Sequence, residues 1–141
     1  MEENNIWEAL NLSEENIKTS YDYLISQAEN FERATKGELL MDIEVSSYTS
    51  DAPSNRKMTL YYLVIIAPNL GSFRKKILHI AEFEDVGRFP VNIMNYINSH
   101  FYEDINEDDL LVKMKDILAE PQVQNVIEKL YRQSLEAKGD N

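Results

Sequence analysis

The sequence predicts an α+β fold: an N-terminal helix, a three- to four-stranded antiparallel meander sheet, and two C-terminal helices. Three observations carry this reading. Apolar residues recur with a helical period up to about residue 36, with a period of two from residue 38 to about residue 94, and with a helical period again after residue 106. The connections between the predicted strands are short, which favours antiparallel neighbours. The length of 141 residues is that of one domain, 1–141, with a single core.

The first long helix is expected to start at Ser13, whose hydroxyl can satisfy a free N–H of the first turn. Leu12 and Ile17 have the spacing of a hydrophobic staple across that start. The apolar stripe then runs Ile17, Tyr21, Leu24, Ile25, Ala28, Phe31 and Thr35, and Gly37 fits a C-terminal stop. Upstream, Ile6, Trp7 and Leu10 suit a short helical turn packed on this helix.

Strand character begins where Leu39, Met41, Ile43 and Val45 alternate with Glu38, Asp42 and Glu44. The polar stretch from Thr49 to Asn55 reads as a loop. Met58 to Ala67 is almost wholly apolar and reads as a central strand covered on both faces. A turn at Pro68–Ser72 leads to a third strand, Phe73 to Phe83. A second turn at Asp85–Arg88 precedes a possible fourth strand, Phe89 to about Met94. Asn106 then suits the N-cap of a helix whose apolar face is Leu110, Leu111, Met114, Ile117 and Leu118. Pro121 suits the first position of the last helix, with Val123, Val126, Ile127, Leu130, Tyr131 and Leu135 as its stripe and Gly139 just past its end.

Charge and composition bound the function. The chain has 25 Asp plus Glu against 14 Lys plus Arg, a formal charge of −11. By segment the net is −5 over residues 1–36, −1 over 37–84 and −5 over 85–141. Such a charge disfavours nucleic acid as a ligand and favours a basic protein surface. The absence of cysteine excludes disulfides, thiolate metal sites and cysteine nucleophiles. The longest apolar run, Leu60 to Ala67, is far below the ~20 residues of a membrane-spanning helix, so no membrane association is expected. The N-terminus shows no basic region followed by an apolar run, and the expected location is cytoplasmic.

The densest acidic stretch runs from Glu103 to Asp109, with five carboxylates in seven residues. Asp104, Asn106 and Asp108 have the first spacings of a calcium loop. Asp109 stands where that loop needs Gly, and Lys115 where it needs Glu. Calcium is rejected on those grounds. Acids at a helix start are also favoured there by the helix dipole, by ~0.3–1 kcal/mol each when exposed. Asp42 with Glu44, and Glu82 with Glu84, form two strand-face carboxylate pairs, conceivable as a two-carboxylate site about 9–10 Å across the sheet. A solvated sheet face is the simpler reading. His79, beside Ile77, Ala81 and Phe83 by parity, reads as a hydrogen-bonded core or edge histidine facing away from Glu82. The basic run Arg74-Lys75-Lys76 reads as solubilising, with possible pairing to the first-strand carboxylates. No nucleophile elbow, metalloprotease motif or phosphate loop is present.

Catalysis, cofactor and metal are therefore not expected. The leading expectation is a non-enzymatic acidic protein-binding module, of inhibitor or immunity type or of chaperone type. It would engage a basic partner protein through Tyr96, His100, Phe101, Tyr102, Glu103, Asp104, Glu107, Asp108 and Asp109. Tyr96 to Tyr102 is taken as a connection carrying aromatic anchors ringed by charge. The alternative is a homodimeric structural or assembly subunit, in which a second copy covers one face of the central strand, Leu60, Tyr62, Val64 and Ile66 or their odd-numbered neighbours. A small hydrolase or small-molecule binder ranks third and requires a deep pocket.

Overall fold

The computed structural model describes residues 20–49 and 56–139. The expected Ser13 cap, the Leu12–Ile17 staple and the Trp7 turn lie outside them. The first helix, α1, spans Ser20–Ala34. Its stripe faces inward at Leu24 and Ala28, while Tyr21 stands 40% exposed against Tyr61. The chain leaves α1 through Lys36 and Gly37, at φ of 54° and 76°. There the Gly37 and Lys36 amides close back on the Glu32 and Arg33 carbonyls.

Five strands follow: β1 Leu40–Thr49, β2 Lys57–Ala67, β3 Phe73–Phe83, β4 Val91–Asn95 and β5 His100–Ile105. They pair antiparallel in the order β1-β2-β3-β4-β5, an uninterrupted meander. Two helices close the chain, α2 Glu107–Leu118 and α3 Pro121–Gly139. The α+β layout is the expected one, and the strand count is five rather than three to four. The extra strand is β5, which begins within the stretch expected as a connection and takes up its last residues, His100 to Tyr102. Its sequence, HFYEDI, lies on a sheet edge with a neighbour on one side only, so its apolar alternation is weak. Gly139 belongs to the last helical turn instead of lying past it.

The core joins one face of the sheet to all three described helices. From the sheet come Leu39, Met41, Leu63, Ile65, Ile77, Leu78, Ile80, Val91 and Ile93. They pack with Leu24 and Ala28 of α1, Leu110, Met114 and Ile117 of α2, and Val123 and Leu130 of α3. Buried Ser134 takes the inward place beside Leu130, and the predicted stripe residue Leu135 is 42% exposed. The Ser134 hydroxyl donates to the Glu38 carbonyl, and Asn69 and Lys138 both reach the Glu38 carboxylate, so α3 is tied to the start of β1.

One irregularity sets which side chains reach which face. Leu63 pairs with Leu78, yet the next residue, Val64, pairs with Lys76. Ile77 is therefore an extra residue in β3, and it joins Leu78 in the core. Beyond this bulge the numbering parity reverses. Glu82 lies on the helix side, buried, where its carboxylate accepts from the Ser20 amide at 2.9 Å and the Tyr61 hydroxyl at 3.4 Å. Asp42 and Glu44 lie on the other face with Arg74. Asp42 and Glu44 thus lie on the opposite side of the sheet from Glu82, while Glu84 is exposed in the 3-10 turn after β3, so the four carboxylates form no shared site. Ile77 likewise points away from His79, contrary to simple alternation. Among the described residues no helix is long and apolar enough to cross a membrane.

Candidate functional site

The face of the sheet turned away from α1, α2 and α3 gathers Asp42, Glu44, Arg74, Lys76, His79, Tyr96 and Phe101 of the side chains singled out above. Register places Glu44, Tyr62, His79, Met94 and Phe101 in one row across all five strands. Val64 with Lys76, and Ile66 with Arg74, continue this face toward one end of the sheet. Tyr96 follows β4 directly; its amide donates to the Ile77 carbonyl at 2.8 Å, which holds it beside β3.

An aromatic cluster forms there. The Tyr62 and Tyr96 rings stack with centroids 6.3 Å apart, and the His79 ring meets each edge-on at 5.4 Å. The His79 Nδ1 and the Tyr96 hydroxyl share a hydrogen bond of 2.5 Å. Burial pushes the His79 pKa below its ordinary value, and the Lys76 ammonium pushes it the same way. The imidazole is therefore neutral at pH 7. Burial first, then the neighbouring Tyr62 hydroxyl, pushes the Tyr96 phenol up to about 12, so it stays protonated. A neutral ring and a protonated phenol supply one shared proton in either tautomer.

Charge borders the cluster at one end. The Lys76 ammonium lies 4.2 Å from the centre of the Tyr62 ring, a cation–π contact. Arg74 reaches the Asp42 carboxylate at 3.4 Å and pairs with Glu44, which realises the pairing expected for the basic run. Glu44, Val64, Arg74, Lys75, Lys76 and Tyr96 line a shallow cavity of about 410 Å³. Tyr62, Lys76 and His79 are the members of this site that sequence reasoning did not attach to Tyr96. The basic run was visible, but only the β2–β3 and β3–β4 registers bring it to that tyrosine.

The nine residues expected to bind a partner divide between two sides. Tyr96 and Phe101 are on the face just described, 39% and 49% exposed. Tyr102 pairs with Ile93 and turns to the helix side, where its hydroxyl donates to Glu120 at 3.3 Å and Lys113 lies 4.8 Å from its ring centre. His100 pairs with fully buried Asn95 and meets Tyr102 edge-on, so it belongs to that side as well. Glu103 and Asp104 together oppose Asn92, a second bulge, with Asp104 at φ 57° and its amide bonded to the Asn92 side chain. Asn106 is the N-cap of α2 as expected, although its side chain makes no cap hydrogen bond. Glu107 accepts a hydrogen bond from the Tyr23 hydroxyl at 2.9 Å, while Asp108 and Asp109 are exposed in the same helical turn. The acidic run thus follows the outer edge of β5 and turns onto α2.

Compared with protein-family models, curated proteins and solved structures, the chain finds no match.

Proposed function

We propose that this protein is a non-enzymatic binding module that holds a basic partner protein on the side of the sheet opposite its helices. The observation that supports this most is the position of Phe101. It is a large aromatic, half exposed, in line with Met94, His79 and Tyr62, and it closely precedes the acidic edge that begins at Glu103. An apolar anchor in a pre-formed aromatic setting, with an acidic edge beside it, is the composition of a protein-binding patch. Phe101 and Tyr96 supply the buried contact in this reading. Glu103, Asp104, Glu107, Asp108 and Asp109 accelerate encounter with a positive surface. Tyr102 holds β5 to Glu120 and Lys113, and His100 lies against Tyr102 on that same side, away from the proposed contact face.

The reading is tested by affinity capture from the source cell with the full chain, at low and at high salt. A basic protein recovered at low salt and lost at high salt is expected. Phe101→Ala should weaken its binding by about tenfold or more through faster dissociation, as loss of an interface anchor does. Changing the five acids to their amides should mainly slow association and flatten the salt dependence. Capture of acidic proteins alone, or binding indifferent to both variants, would sink the proposal.

A further inference from the structure

The two edges of the sheet differ in one respect that bears on assembly. The β5 edge is short, bulged at Glu103–Asp104 and strongly acidic, which are devices that discourage strand pairing. The β1 edge is neither short nor bulged, and its only acids are Asp42 and Glu44. It runs ten residues without proline, lysine, arginine or bulge, and pairs with β2 in unbroken register. Its second half, Val45 to Thr49, is exposed throughout, with Val45 at 56% and Tyr48 at 49%.

The direction of its free backbone groups follows from one contact. The Met41 amide donates to the Glu32 carboxylate at 3.2 Å, so Met41 points away from β2. Backbone polarity alternates along a strand, so Ile43, Val45 and Ser47 also direct their N–H and C=O groups outward. Glu32 protects the edge at Met41. Among the described residues, nothing caps those three, and they form the open part of the template.

We infer that β1 pairs antiparallel with β1 of a second copy, about a two-fold axis at Val45, joining two sheets into one. Charge selects this register. An axis at Ile43 would set Asp42 opposite Glu44 of the second copy, and an axis at Glu44 would set that carboxylate against itself. Like charges directly opposite are destabilising. The axis at Val45 is the longest overlap free of that conflict: Glu44 meets Ser46 of the second copy, and Asp42 meets Tyr48. Val45 then faces its own equivalent as a hydrogen-bonded pair, flanked on each side by Ile43 opposite Ser47, and each pair exchanges both backbone hydrogen bonds. Arg74 of each chain offsets one of the two charges of Asp42 and Glu44 beside the junction, which leaves a net negative charge to select the register. This contact uses a different surface from that of the proposed partner.

The absence of cysteine makes the register directly testable. In full-length Val45→Cys the two thiols sit on Cα atoms about 5.5 Å apart, within disulfide range. In full-length Ser47→Cys they lie about 14 Å apart along the strand and cannot join. Mild oxidation at micromolar concentration should convert the first variant to a covalent dimer and leave the second monomeric on a non-reducing gel. Sedimentation of the unmodified chain should give twice the chain mass. Val45→Lys, at a position already in solvent, should sediment as a folded monomer with an unchanged far-UV spectrum. A monomeric unmodified chain overturns the inference. So does a dimer that persists in Val45→Lys, or one in which Ser47→Cys cross-links as readily as Val45→Cys.

Discussion

His79 is a neutral base kept neutral by its surroundings, and the consequence for pH is definite in sign. Its pKa in the folded chain lies below the ordinary histidine value, first through burial and then through Lys76. Between that lowered value and about 6.5, the unfolded chain binds more protons than the folded one. The stabilising contribution of the neutral ring is thus complete above about pH 6.5 and is lost progressively as pH falls below it. NMR titration of the two histidines, assigned with His100→Gln, should give His79 a pKa below the ordinary histidine value. Lys76→Met removes the second cause and leaves the first, so the value should rise yet stay under the ordinary one. A wild-type value at or above it would show that the ring is not desolvated by Tyr62 and Tyr96 in solution. None of this was readable from the sequence, where His79 was one polar residue in an apolar strand and its two aromatic neighbours were 17 residues away on either side.

At the scale of the element, β3 was legible in extent and illegible in facing. Its limits, Phe73 to Phe83, follow from the apolar run and the flanking turns. Its bulge does not, because Ile77 and Leu78 are both apolar and either strand face would accept them. That single extra residue moved Glu82 to the helix side and separated it from Asp42 and Glu44. The bulge also makes a prediction about deletions. Removing Ile77 turns the bulge into a regular ladder and leaves every other residue of β3 on its present face. That variant should fold, with a loss comparable to truncating a buried isoleucine, ~2–5 kcal/mol. Removing Ala81 also straightens the ladder, but only by sliding residues 77–80 one place along it. His79 then takes the place of Ile80 in the core, while Ile80 and Leu78 turn to the opposite face. Urea denaturation should show a cooperative transition for the first deletion and none for the second. Equal damage from both would mean that Ile77 is not the inserted residue. The strand β5 was missed for a different reason: a polar edge strand buries too little to show a period of two, so its presence became visible only through its pairing with β4.

At the scale of the whole molecule the arrangement is one-sided. Among the described residues three helices share one face of a five-stranded sheet, and the candidate site occupies the other. The periodicity of each helix announced that it had an inner face, and their order followed from the chain. Which face of the sheet they would choose did not, since Leu60 to Ala67 is apolar on both. Charge is the other global property, and it was fully legible. With 25 acids and 14 bases, repulsion among carboxylates opposes the compact state. The ion pairs among the described residues that offset it, Arg56 with Asp85, Arg74 with both Asp42 and Glu44, and Lys138 with Glu38, engage exposed cations, and such pairs contribute little. Screening should therefore relieve more repulsion than it removes attraction. Raising sodium chloride from about 0.01 M to 0.3 M shortens the Debye length from roughly 30 Å to under 8 Å, enough to separate the acidic segments electrostatically. The thermal midpoint at pH 7 is expected to rise over that range and then level off. Choline chloride at equal ionic strength should act alike, because the effect is one of screening and not of a bound cation. A midpoint that falls with salt would show that these exposed pairs outweigh the net charge. A rise with sodium alone would point to a specific cation site in place of general repulsion.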